Sequence, residues 1–184
     1  YQAGAFRKYA LDIGLSLNDK TVSMEEFWKS INAFNRAIIE PNASRFFFIE
    51  NPKEILVRKL LPKSVKINLH PDFPEKGFRS FHVSDKVYIS QKDFRTLAEG
   101  YTHRLMDLCN FEVKGNTFWK TSERYEDYKN ASNKGKIIHW LPLEENLPVE
   151  LVLDTGNQIT GRGELNLLRA KEGDKIQAKI TEWS

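Results

Sequence analysis

The sequence of 184 residues contains a single cysteine, Cys109, and only four scattered histidines. One thiol cannot form a disulfide within the chain, so a disulfide scaffold is excluded, as is a zinc site built from cysteine and histidine. No apolar run approaches the ~20 residues that cross a bilayer, and no signal peptide opens the sequence. Because the first residue is Tyr1 instead of Met, we expect the chain to be a piece of a longer protein.

Catalytic signatures are missing as well. Neither GxGxxG nor GxxxxGK[ST] occurs, and GxSxG and HExxH are also absent. Adjacent acids such as Glu25–Glu26 and Glu126–Asp127 are present, but general acid–base catalysis needs two carboxyls in different environments. Such neighbours usually face solvent, so the sequence predicts no catalytic residue and no metal ligand in this chain.

The first forty residues are predicted to form two helices. Apolar residues recur at helical spacing from Phe6 to Ile13, and Gly14 is a suitable C-terminal stop. Ser23 and Glu26 have the spacing of a capping box, in which each side chain accepts a hydrogen bond from the backbone of the other. An apolar stripe follows, which predicts a helix over residues 23–40 that ends at Pro41.

After the helices the pattern changes to short strands. Five prolines between residues 41 and 74 exclude long helices there. Many short strands at close intervals favour closed or nearly closed β-barrels, with short helices near 92–99 and 123–130. The predicted strands are Arg45–Glu50, Glu54–Leu60, Val65–His70, Phe78–Val83, Val87–Ser90, Arg104–Val113, Phe118–Thr121, Ile137–Leu141, Val149–Leu153, Gln158–Gly161 and Ile176–Ile180.

The formal net charge of +3 is unevenly distributed. Residues 44–114 carry thirteen basic and nine acidic side chains, whereas the segments on either side are nearly balanced. A solvated strand face and a surface for an acidic partner both explain this excess. Its most concentrated part consists of Lys53, Arg58, Lys59, Lys63 and Lys66.

Arginines set among aromatic residues are the most informative feature of the β part. Small β-barrels bind single-stranded nucleic acid with arginines that contact phosphates or base edges and with aromatic rings that stack on unpaired bases. The alternative is that the strand aromatics form the core. The arginines concerned are Arg45 before Phe46–Phe48, Arg79 between Phe78 and Phe81, Arg95 after Phe94, and Arg104 at the start of a predicted strand.

Several motifs in a fixed order carry a resemblance to a known family. They are Ile13–Ser16, Asn35–Ile39, Ser44–Pro52, the His70–Gly77 loop that reads HPDFPEKG, Val87–Ser90, Asp93–Phe94, Arg104–Leu108 with Asn110, Lys136–Pro142 and Pro148–Glu150. With these motifs the chain resembles the C-terminal part of archaeal and eukaryotic glutamyl-tRNA synthetases, close kin of the glutaminyl enzymes.

The resemblance implies a fold that is mainly β with an N-terminal helical segment. Residues 1–43 would be the segment that contacts the tRNA stem, and residues 44–184 would form two small anticodon-binding β-barrels of the glutaminyl/glutamyl-tRNA synthetase type. The parent enzyme would use ATP and Mg²⁺ to attach glutamate to tRNA(Glu) through glutamyl-adenylate. Because the HIGH and KMSKS motifs do not occur here, we expect the chain to begin just after the catalytic domain and to be inactive alone.

The resemblance also implies particular contacts. Arg45 matches an arginine that reads an anticodon base in the glutaminyl relatives, Arg104 matches a second arginine near the anticodon loop, and Asn18 and Lys20 would face the tRNA. With Arg79 and Arg95 these form the predicted tRNA-binding set. The expected partners are tRNA(Glu) and, in many organisms, tRNA(Gln), and the expected protein is a cytoplasmic monomer. Two alternatives stay open: the same region of a glutaminyl-tRNA synthetase, and a non-catalytic β-barrel module that binds a protein or any single strand.

Overall fold

The computed structural model describes residues 1–14, 21–153 and 155–178. These residues divide into two compact units. The first comprises Tyr1–Ser44 with Gly173–Ile176, and the second comprises Arg45–Glu172 with, among the described residues, Gln177 and Ala178. No helix in the described part is both long and apolar enough to span a membrane.

The first unit is built from two helices, α1 (Ala3–Ile13) and α2 (Met24–Ile39), followed by a 3-10 turn at Glu40–Asn42. The capping box at the start of α2 is confirmed, because the Glu26 amide donates to the Ser23 hydroxyl at 3.2 Å and the Ser23 amide donates to the Glu26 carboxylate at 3.3 Å. Ala5 and Ile31 are the fully buried side chains of this helix pair.

The second unit consists mainly of strands with two short helices, α3 (Gln91–Thr96) and α4 (Tyr125–Lys129). Counting β1 and β14, whose first residues belong to the helical unit, the strands are β1 (Ser44–Phe46), β2 (Phe48–Glu50), β3 (Pro52–Arg58), β4 (Lys63–Asn68), β5 (Phe78–Val83), β6 (Lys86–Ser90), β7 (Thr102–Leu105), β8 (Cys109–Lys114), β9 (Thr117–Ser122), β10 (Lys134–Ile138), β11 (Leu141–Pro142), β12 (Asn146–Val152), β13 (Gln158–Glu164) and β14 (Ile176–Ala178).

Hydrogen bonding arranges these strands into four sheets. The largest has the order β10-β7-β8-β9-β3-β6-β11, with parallel pairing of β10 with β7 and of β3 with β9. Three strands form a second sheet in the order β12-β13-β2, β4 and β5 form a hairpin, and β1 pairs with β14. The expected class, mainly β after a helical N-terminus, is confirmed. None of the four sheets closes on itself within the described residues.

Three predicted strands are divided in the structure. Arg45–Glu50 becomes β1 and β2, which join different sheets, and Ile137–Leu141 covers the end of β10 and the start of β11. The run Arg104–Val113 is a hairpin of β7 and β8, not a single strand, because Asp107 adopts a φ of 57° and the chain turns there. In this hairpin Leu105 pairs with Cys109, so the apolar residues of both strands enter one core. The end of the last predicted strand, at residues 179 and 180, lies outside the described residues.

The core of the strand unit is aromatic and aliphatic. Phe81, Phe111 and Trp140 are at most 1% exposed, and the Trp140 indole N–H donates to the Met106 carbonyl at 2.8 Å. Phe47 packs between these elements, with its ring centroid 5.9 Å from that of Phe81. Burial of large rings with a satisfied indole donor stabilises the arrangement of the strands that carry the arginines.

Candidate nucleic-acid interface

Arg45 lies in β1 at the base of the loop 70–77. Its backbone N–H donates to the Leu69 carbonyl at 2.7 Å, and the Leu69 N–H donates to the Gly77 carbonyl at 3.0 Å. The neighbouring Phe46 is buried, whereas Arg45 is half-buried. The strand is therefore held by its apolar side, while the Arg45 side chain is half-buried, with its Nε atom buried.

The loop beside Arg45 is held by its own side chains. Nδ1 of the buried His70 accepts a hydrogen bond from the Asp72 amide at 3.1 Å, and the His70 ring lies 4.7 Å from the ring of Phe73. Residues Pro74–Lys76 form a 3-10 turn, and Gly77 closes it with a φ of 91°, a conformation that favours glycine. The result is a fixed loop that presents the half-buried Phe73 ring.

Lysines lie over aromatic rings across this unit. The Lys66 ammonium is 4.5 Å from the centre of the Phe78 ring, and Phe78 is 50% exposed. The corresponding distance is 5.5 Å for Lys53 over Phe94, 5.6 Å for Lys76 over Phe73 and 5.7 Å for Lys59 over Trp119. Each site offers a positive charge beside a flat apolar ring, which is the chemistry that a nucleotide requires.

The basic cluster of residues 53–66 divides into paired and unpaired charges. Lys63 binds the Glu123 carboxylate at 2.9 Å, and Lys120 binds the other oxygen of that carboxylate. These two ammonium groups lower the pKa of Glu123 to about 2. Among the described residues, no carboxylate lies within ion-pair distance of Lys53, Arg58, Lys59 or Lys66. Most of the predicted charge excess is therefore available to an acidic partner.

Comparison with known proteins decides what kind of module presents this surface. Residues 43–129, which run from the start of β1 through α4, match the family model for the anti-codon binding domain of class I tRNA synthetases (E and Q). This chain carries an anticodon-binding domain of that family.

Archaeal relatives are similar to this chain beyond the residues 43–129 that match the family model. The glutamate–tRNA ligase of Methanobrevibacter smithii is 36% identical over 168 residues, which cover 90% of this chain and 28% of the ligase. Those of Methanosarcina mazei and Pyrococcus furiosus are 35% and 34% identical over 89% and 94% of this chain. The chain spans about 28–30% of the length of these relatives.

Arg79 of the anticodon-binding domain is in the core and not on the surface. It is 2% exposed, with Nε 3.0 Å from the Glu164 carboxylate, Nη1 donating to the Asn68 carbonyl at 2.8 Å, and the guanidinium 4.8 Å from the centre of the Phe47 ring. Burial lowers the pKa of Arg79 and raises that of Glu164 to about 7, although each partner opposes the shift of the other. This placement favours a structural role for Arg79.

Arg104 is also held by protein groups. It is 6% exposed, and its Nη1 donates to the Asn110 side-chain oxygen at 2.7 Å and to the Glu123 carbonyl at 3.2 Å. The guanidinium lies 5.5 Å from the centre of the Tyr125 ring, which is 49% exposed. Arg104 therefore lies just beneath the surface, behind the exposed Tyr125. The predicted contact of Arg104 with tRNA stays a prediction.

The other predicted residues differ in what the structure describes. Arg95 is exposed in the last turn of α3, next to Phe94 and its covering Lys53. Asn18 and Lys20 lie outside the described residues. Sequence reasoning missed Lys66 and Phe78 as an exposed pair. Strand alternation in β5 is the signal that could have found them, because Phe78 and Arg79 must point to opposite faces.

Proposed function

We propose that this chain is the tRNA-recognition part of a glutamate–tRNA ligase. The parent enzyme would attach glutamate to tRNA(Glu) in an ATP-dependent reaction through glutamyl-adenylate, with tRNA(Gln) as a second candidate substrate. Similarity to three archaeal ligases over about nine-tenths of the chain supports this proposal. The HIGH and KMSKS motifs do not occur in the sequence, and the proposal assigns no residue here to ATP, Mg²⁺ or the chemical step.

The position of Arg45 is the observation that carries the proposal. Its strand is bonded to the base of the fixed loop 70–77, which limits the volume that the half-buried guanidinium can sample. Arginine is planar and permanently charged, and its donors fit a base edge or a phosphate in a bidentate manner. A guanidinium that starts from a rigid strand loses less entropy when it forms those two bonds.

Aromatic and cationic side chains of the loop 70–77 and of the β4–β5 hairpin, to which β1 is bonded through Leu69, supply the rest of the contact. Phe73 is presented by the loop 70–77, and Lys76 and Lys66 each cover one exposed or half-buried ring. Bases of an anticodon loop are unpaired, so their faces can stack on such rings while lysines neutralise the backbone. We assign the anticodon to this face of the domain and the discrimination between bases to Arg45.

Binding of tRNA(Glu) transcripts with single anticodon substitutions tests this assignment. We expect Arg45→Ala to weaken binding of the cognate transcript by about 1–3 kcal/mol and to reduce the difference between cognate and altered anticodons. Arg45→Lys should retain part of the affinity but not the discrimination, because an ammonium lacks the planar fork. Arg124→Ala, which removes another exposed arginine, is the matched control and should leave the discrimination unchanged.

Two outcomes would contradict the proposal. Equal binding of wild type and Arg45→Ala to every anticodon would show that Arg45 does not read a base. Equal binding of wild type to tRNA(Glu) and to an unrelated tRNA would favour a module that binds any single strand. Measurements at several salt concentrations are required, since phosphate contacts release counterions and affinity falls as salt rises.

A further inference from the structure

A second cationic and aromatic site lies on the largest sheet. Trp119 in β9 pairs in parallel register with Arg58 in β3, so the two residues are direct neighbours across the sheet. The preceding residues of the two strands, Phe118 and Val57, are buried in the core. Alternation along a strand therefore directs Trp119 and Arg58 to the opposite, outer face, where Trp119 is half-buried and Arg58 is exposed.

Lys59 completes this group of three. It follows β3 directly and adopts a φ of 66°, in the left-handed region that non-glycine residues rarely occupy. With this turn its ammonium lies 5.7 Å from the centre of the Trp119 ring. In the described part of the chain neither Arg58 nor Lys59 has a carboxylate within ion-pair distance, so both charges are uncompensated by the protein.

The row of residues that pair with Trp119 across the neighbouring strands limits the extent of this positive charge. The partner of Trp119 on its other side is Glu112, and beyond it follow Thr102 and then Lys134. Glu112 is 3.8 Å from the Lys114 ammonium, which offsets its charge. The indole is thus flanked by two unpaired cations on one side and by a neutralised pair on the other.

We infer that Arg58, Lys59 and Trp119 form a second RNA-binding site, which takes an unpaired nucleotide with its base on the indole and its phosphate on the two cations. The inference rests on the proposed function, since it assigns RNA to the domain as a whole. Stacking on an indole does not depend on the identity of the base. This site therefore adds affinity without selecting the anticodon, in contrast to Arg45.

The test measures binding of the 184-residue chain to tRNA(Glu), to the transcript with an altered anticodon and to oligouridylate. We expect Trp119→Leu to weaken binding to all three by about 5- to 150-fold, the usual effect of removing one stacked base. Trp119→Phe keeps an aromatic ring at this position and should retain most of the wild-type affinity. The preference for the cognate anticodon should be unchanged in both variants.

Removal of the cations gives an independent measurement. The double variant Arg58→Ala/Lys59→Ala should reduce the slope of log affinity against log salt by about 0.7 for each phosphate that the protein no longer neutralises. Lys134→Ala, at the far end of the same row, is the matched control and should leave the slope unchanged. Since Arg58 and Lys59 are exposed, the double variant and its Lys134→Ala control still test the proposed site if Trp119→Leu fails to fold.

Several results would overturn the inference. One is wild-type affinity and slope in the double variant, and another is an equal effect of Lys134→Ala. A third is equal competition by poly-glutamate, an acidic chain without bases, since stacking would then contribute nothing. Failure of the proposed function has a different signature, in which Arg45→Ala leaves the anticodon preference unchanged while Trp119→Leu still weakens binding to oligouridylate.

Discussion

Neutralising Glu164 should change how the stability of the strand unit depends on pH. This carboxylate is fully buried at the end of β13, where it binds Nε of Arg79 at 3.0 Å and accepts the Phe47 amide at 2.8 Å. Burial raises its pKa from the ordinary 4.5 to about 7, since loss of hydration outweighs the attraction of Arg79. Desolvation of a buried ion pair commonly exceeds the Coulomb energy that the pair gains.

The sign of the effect follows from proton binding. Between pH 4.5 and 7 the folded state keeps the Glu164 proton, whereas the unfolded state has released it. The free energy of unfolding therefore falls as pH rises through this window. A pKa increase from 4.5 to about 7 corresponds to about 3 kcal/mol. This contribution is complete below pH 4.5 and is lost above pH 7.

The substitution Glu164→Gln isolates this contribution. Glutamine can still accept the Phe47 amide but carries no charge, so we expect its stability to equal that of wild type at pH 5 to within about 1 kcal/mol. At pH 8 the variant should be more stable than wild type by about 3 kcal/mol. The other ionisable groups are the same in both proteins, so their contributions to the pH dependence cancel in the difference.

Urea unfolding followed by tryptophan fluorescence at pH 5, 6, 7 and 8 measures this difference. Glu144→Gln, at an exposed carboxylate, is the control and should follow the wild-type curve. A difference between wild type and Glu164→Gln that is constant with pH would refute the reasoning. So would a difference of the opposite sign, because it would show that Arg79 lowers the pKa of Glu164 more than burial raises it.

Two further substitutions test the backbone arrangement. Gly161→Ala should destabilise the chain by about 1–3 kcal/mol in urea unfolding, because a Cβ there would lie 2.5 Å from the Ile49 carbonyl oxygen. Thr160→Ala, at the neighbouring exposed residue, is the control. Equal stability of the two variants would argue against the pairing of β13 with β2. Ser23→Ala should lower the stability of the helical unit by about 1 kcal/mol, the usual cost of removing an N-cap, and unchanged helicity by circular dichroism on heating would contradict the capping box.

Local rules were sufficient for much of the fold. The capping box predicted the start of α2, and Pro41 predicted its end near residue 40. Runs of branched and aromatic residues between turn residues predicted most strands to within two or three residues. These features depend on contacts between residues that are close in the chain, which the sequence displays directly.

Local patterns thus predicted the class of fold, the concentration of positive charge in residues 44–114 and the motif order that resembles a family. The exposure and pairing of individual arginines and lysines depend instead on how distant strands pack. Glu164 reaches the Phe47 amide across 117 residues and binds Arg79 in the core, while Lys59 and Lys66 meet aromatic rings instead of carboxylates. The physical reason is that burial and pairing of a charge depend on strand register and long-range packing, which local patterns do not encode.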